Sequence, residues 1–136
     1  MAEAIARRIA SDVIGASSAG LIPLGFVAEM TRTTLIKNGY RVDGLESKPI
    51  LTAALEAADL VVNMSGRPRE IAFENPAKVE DWPVEDPYGA DAEVYQRIFE
   101  DIERRVAKLA DRLRNPQGSR TNTRDIQGKG TSKRRP

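Results

Sequence analysis

The sequence predicts an α/β domain built on a mainly parallel sheet. Three observations carry that expectation. Helical and short β-prone segments alternate along the chain. One run, Leu60-Val61-Val62-Asn63-Met64, is apolar on nearly every residue, as strands buried on both faces are. A long amphipathic segment then closes the ordered part.

The elements follow in order. Residues 2–13 form the first helix, with Ile5, Ile9 and Val13 recurring every fourth position beside Ala6 and Ala10. No capping residue precedes it. The run from Val13 to Gly20 is small and apolar and is expected to be a brief strand. Pro23 and Gly25 mark a loop, and a helix over about 26–37 ends at Asn38-Gly39, a pair suited to a left-handed cap. Thr52 is expected to cap a short helix through Ala58, leading into the strand at 60–64. Ser65-Gly66-Arg67-Pro68 turns the chain, a turn of helix follows near Ile71 and Phe73, and 78–82 is the last strand.

Pro83 to Gly89 is a stiff loop, and Asp91 caps a helix over 92–114. That helix has its apolar line at Val94, Ile98, Ile102, Val106, Leu109 and Leu113. Glu93–Arg97, Glu100–Arg104 and Asp101–Arg105 lie four apart in the favourable order, each pair contributing about 0.3 kcal/mol. Trp82 and Phe73 are expected in the core or at its rim. Residues 115–136 hold one large aliphatic side chain, Ile126, and cannot bury enough area to offset their ordering entropy. The expected organisation is one domain over 1–114 and a disordered tail over 115–136.

Composition removes whole classes of chemistry. The 136 residues contain no Cys and no His. That excludes a thiolate nucleophile, a Ser-His-Asp triad and the usual zinc ligand sets. No metal and no cofactor are expected. No stretch approaches the roughly 20 apolar residues that span a bilayer, so a cytoplasmic protein without a membrane partner is the expectation. Residues 1–114 carry 15 basic and 19 acidic side chains; residues 115–136 carry 6 and 1. Lys129, Lys133, Arg134 and Arg135 could touch nucleic-acid phosphates, but no aromatic interleaves them, and the tail reads as a solubilising terminus. Arg67 and Arg69 could attract an anion but read as solvated.

Asp86-Pro87-Tyr88-Gly89 is the most informative tetrapeptide, standing between the last strand and the long helix. In that context it resembles the general-acid loop of the low-molecular-weight protein tyrosine phosphatase family, whose fold is shared with arsenate reductase-like relatives. Ser18-Ala19-Gly20, Asn38-Gly39-Tyr40 and the run from Ala57 to Met64 are similar to further family segments in the same order. Met1-Ala2-Glu3-Ala4 resembles the opening of the family's first helix, directly after a Cys-x-x-x-x-x-Arg-Ser loop.

The resemblance implies a three-layer domain with a mainly parallel four-stranded sheet. Here the first, interior strand and the phosphate loop are expected to be missing, with an in-frame extension of the gene encoding them. It implies phosphomonoester hydrolysis through a phosphocysteine, on a phosphotyrosine protein or a small aryl phosphate, by the longer parent; this chain as given should be inactive. By resemblance Asp86 is the general acid, Pro87 fixes its aim, Tyr88 walls the substrate ring, and Ser18 orients the phosphate loop. Gly89 stands where a second aromatic is common. Two alternatives remain: a non-catalytic interaction protein whose sheet edges pair in a dimer, and a fragment of an arsenate reductase, whose chemistry needs several thiols.

Overall fold

The computed structural model describes residues 1–20 and 27–115. Among these residues five α-helices and two strands run in the order α1 (Ala2–Ile9), α2 (Glu29–Lys37), α3 (Thr52–Ala57), β1 (Val61–Asn63), α4 (Arg69–Ala72), β2 (Val79–Asp81) and α5 (Ala92–Arg114). A 3₁₀ turn, Pro76–Lys78, leads into β2. The expected loop at Pro23 and Gly25 lies outside the described residues, as does the expected tail from residue 116.

The core sits where α5 meets α1 and α2. Ile5 and Ala4 of α1 and Leu35 of α2 are buried against Ile98, Phe99, Ile102, Val106 and Leu109 of α5. Tyr40 joins them edge-on to Phe99, with ring centroids 5.5 Å apart. Its hydroxyl donates to Glu103 at 2.5 Å, and the Arg8 guanidinium lies over its ring at 4.7 Å. The α2 terminus has the full double hydrogen bond of a Schellman cap, Tyr40 N–H to Leu35 and Gly39 N–H to Ile36, with Gly39 at φ +84°. Asn38 then exchanges amide hydrogen bonds with Gln96 at 2.8 and 3.1 Å, tying α2 to α5.

β1 and β2 pair in parallel with Val61 opposite Val79 and Asn63 opposite Asp81. Trp82 N–H continues the ladder to the Asn63 carbonyl at 2.9 Å. The Trp82 side chain is buried and Phe73 is half-buried, as expected of core and rim.

Several local expectations are corrected. The strand expected over 13–20 is not one: only Gly20 pairs, through an isolated parallel bridge to Pro49. Strand structure requires a neighbouring strand for its N–H and C=O groups; the Ile14 N–H instead turns back to the Ala10 carbonyl at 2.8 Å, and among the described residues no strand pairs with 14–19. Ile14 and Ala16 still pack on the core with the alternation of an extended segment. Thr52 is the first helical residue and caps nothing; the N-cap position is Leu51, without a side-chain bond. At the other end of α3, Lys78 Nζ donates to the Glu56 and Ala58 carbonyls. On α5 the expected Asp101–Arg105 pair forms, but Arg104 also binds Asp101, and Glu100 accepts from Gln96. The expected line of α5 is buried in its middle, but Leu113 is 40% exposed.

Candidate functional site

The loop from Trp82 to Asp91 leaves the carboxyl end of β2 and delivers the chain to α5. Its shape is set locally. Val84 N–H turns back to the Trp82 carbonyl at 2.8 Å, and the Val84 side chain packs on the core. Asp86 Oδ1 accepts from the Tyr88 N–H at 3.1 Å, closing an Asx turn across Pro87. Ala90 N–H then bonds the Pro87 carbonyl at 2.8 Å, and Gly89 takes φ +85° at the third position of that turn. A side chain there would strain the backbone, which accounts for glycine in place of a second aromatic. Asp91 Oδ1 accepts from Val94 N–H at 3.1 Å, the cap expected from sequence.

The loop therefore holds one carboxylate oxygen of Asp86 fixed and leaves the other without a partner among the described residues. Asp86 is exposed, Pro87 half-buried, and Tyr88 56% exposed, presenting its ring to solvent. Tyr95, in the first turn of α5, is 2% exposed. Burial pushes its phenol above the ordinary value of 10.0; a hydrogen bond with Thr31 opposes this, and the nearby Asp86 and Tyr88 push the same way as burial. The three residues thus form one electrostatic neighbourhood. Tyr95 was not singled out from sequence, because it lies one position off the apolar line; its place four residues after Asp91 was the available signal.

Ser18 belongs to a different cluster. Its hydroxyl donates to Glu3 Oε1 at 2.5 Å. Glu3 is 3% exposed in the first turn of α1, a buried carboxylate on an otherwise alanine-rich face. Its Oε2 is in ion-pair contact with Arg7 one turn on, but has no aligned hydrogen bond. Burial lowers the pKa of the Met1 ammonium, and the Glu3 carboxylate opposes that shift. Asp86, Pro87 and Tyr88 are brought together by the structure; Ser18 is tied to Glu3 instead, and no hydrogen bond joins it to the Asp86 loop. The spacing of Glu3 and Arg7 was the one sequence signal for this pair.

A third polar centre organises the neighbouring loop. Asn63, 5% exposed at the end of β1, donates to the Arg67 carbonyl at 2.7 Å and to Asp81 at 2.8 Å. It accepts from the backbone N–H and hydroxyl of Ser65 at 3.1 and 2.7 Å. The loops after β1 and β2 therefore leave the same edge of the sheet, the carboxyl edge where open α/β sheets take their ligands. Among the described residues no group of three or more His, Cys, Asp or Glu side chains could hold a metal ion.

The chain is thus an α/β domain with an exposed carboxylate on a proline-stiffened loop at the carboxyl edge of its parallel strands. The particular family is identified by comparison. The low molecular weight phosphotyrosine protein phosphatase pattern matches residues 1–118, and the chain belongs to that family. A protein of Halobacterium salinarum, provisionally named an arsenate reductase, is 30% identical over 110 residues, covering 81% of this chain and 76% of its own. The crystal structure of a low molecular weight protein tyrosine phosphatase from T. tengcongensis superposes with TM-score 0.74 at 25% identity, covering 82% of this chain and 88% of that one. An arsenate reductase in the reduced state superposes with TM-score 0.67 at 26% identity over 82% of this chain and 86% of that one. Among the described residues no helix is long and apolar enough to cross a membrane.

Proposed function

We propose that this chain carries the leaving-group half of a protein tyrosine phosphatase site and, by itself, does not complete the reaction. The observation behind this reading is the pairing of an intact Asp86-Pro87-Tyr88 loop with the lack of any cysteine in 136 residues. With Oδ1 occupied by the Tyr88 N–H, a proton on Oδ2 is the one Asp86 can give to a departing phenolate oxygen. The Tyr88 ring, standing in solvent beside it, supplies an apolar face for an aryl group. The substrates of this reading are a phosphotyrosine protein or a small aryl phosphate in the cytoplasm.

What is lacking is equally specific. The family reaction forms a bond from a cysteine thiolate to phosphorus and later breaks it with water. The sequence offers no thiolate for that step, and no His is present to activate a serine in its place. The relative from Halobacterium salinarum favours a second reading, an arsenate reductase. That chemistry requires still more thiols, so the same absence weighs against it more heavily.

The test is hydrolysis of an aryl phosphate by the purified chain, expected to stay at background. Turnover that survives repurification and disappears in Asp86→Asn would overturn the proposal and require another nucleophile.

A further inference from the structure

A cleft of about 340 Å³ lies between the end of β2 and the outer face of α5. Trp82 and Leu109 give it apolar lining. None of residues 83–90 lines it. Lys108, one of its lining residues, is 17 residues beyond Asp91, about 25 Å along the helix from the end of the Asp86 loop that joins α5. The volume is within the usual range for a small-molecule site, roughly 300–1,000 Å³.

Its hydrogen-bonding capacity is unbalanced. Four cations of α5 line it, Arg104, Arg105, Lys108 and Arg112, against the carboxylates of Glu80, Asp81 and Asp101. The carboxylates are largely used. Glu80 takes Arg112 on both oxygens and the Trp82 indole N–H on Oε2. Asp101 takes Arg104 at 2.6 Å and Arg105 through both oxygens. Asp81 accepts from Asn63. The donors are not used up. Arg104 bonds through Nη2 alone, Arg105 through Nε alone, and Lys108 has no acceptor among the described residues. Each guanidinium carries five N–H groups and each ammonium three.

A pocket whose spare charged donors outnumber its open acceptors suits an acceptor-rich anion. We propose that this cleft is a binding site for a phosphate-type oxyanion, free or as a small phosphomonoester, with Lys108 as its central ligand and Arg104 and Arg105 supplying the remaining donors. The site is separate from the Asp86 loop and does not depend on the catalytic reading of that loop.

The single tryptophan of the chain lines the cleft, so binding reports on itself. Trp82 emission of the purified chain is titrated with inorganic phosphate and with glycerol 3-phosphate, at constant ionic strength held by chloride. Backbone amide shifts of residues 104–112 are followed in parallel. Saturable changes are expected for at least one ligand, and the tighter of the two identifies free ion or ester as the natural form. Lys108→Glu, on an exposed position of α5, should keep the helical circular dichroism and weaken binding by about tenfold or more. Lys108→Arg should retain it, and Asp86→Asn should leave it unchanged. Responses equal in the wild type and Lys108→Glu, or no saturation by either measurement, would overturn the site.

Discussion

The helical layer and the sheet layer of this domain are built to different standards. In the layer of α1, α2 and α5, every helix buries part of its length, and α5 alone hides Tyr95, Ile98, Phe99, Ile102, Val106, Leu109 and Ala110. In the sheet layer, the strands are three residues long and neither α3 nor α4 has a fully buried residue. A two-stranded sheet is marginal unless packed on something larger. The lesson is that order in the sheet layer is held mainly by polar devices, with Asn63 at their centre, while the helical layer is held by apolar area.

Truncation should expose that contrast most strongly. Phe99→Ala removes a fully buried ring from the centre of the helical layer and should lower the unfolding free energy by about 3–5 kcal/mol. Ile71→Ala in α4, at a site 77% exposed, should change it by less than about 0.5 kcal/mol. Equal losses in chemical denaturation would break the comparison. Asn63→Ala should come next, at about 1–3 kcal/mol, because it leaves Asp81 and the Arg67 carbonyl short of a donor. Hydrogen exchange should show the damage at residues 61–68 and 79–82 with α5 protected; a uniform loss would mean the layers unfold as one. Asp91→Ala, which removes a cap from the better-built layer, should cost only about 1 kcal/mol by thermal melting.

A further effect is set by pH. Tyr40 is pushed up from 10.0 to about 12, first by burial and then by its bond to Glu103. A proton held more tightly in the folded state contributes stability that is fully present below pH 10 and is lost as pH rises toward about 12. Denaturation midpoints of the wild type should fall over that window, and Tyr40→Phe should flatten the fall. A mutant curve with the same alkaline slope would locate the titrating group elsewhere.

How much of this was legible depended on distance along the chain. The α5 helix and its Asp91 cap were readable because 23 residues repeat one period and a cap is three residues from its donor. The Asp86 turn was readable for the same reason, since Asp, Pro and Gly act on backbone within four residues. Ser18 was placed by resemblance, and its actual partner, Glu3, lies 15 residues away with no local mark. The segment 13–20 has the composition of a strand, but pairing is a property of two segments, and composition describes one. Tyr95 and Phe99 were missed because α5 is covered by two helices, so its buried stripe is wider than one spiral line.

The clamp at the end of α5 has a consequence for how the protein is made. Arg114 bonds Asp12 at 2.7 Å and the Ile9 carbonyl at 2.9 Å, joining positions 102 and 105 residues apart. The contacts of α1 with α5 that bury Ile5 have nearly the same separation. On a ribosome adding about 5–20 residues per second, α1 therefore waits roughly 5–20 s for its partner to be synthesised. Throughout that interval the apolar face of the first helix stands uncovered, open to a chaperone or to a neighbouring nascent chain.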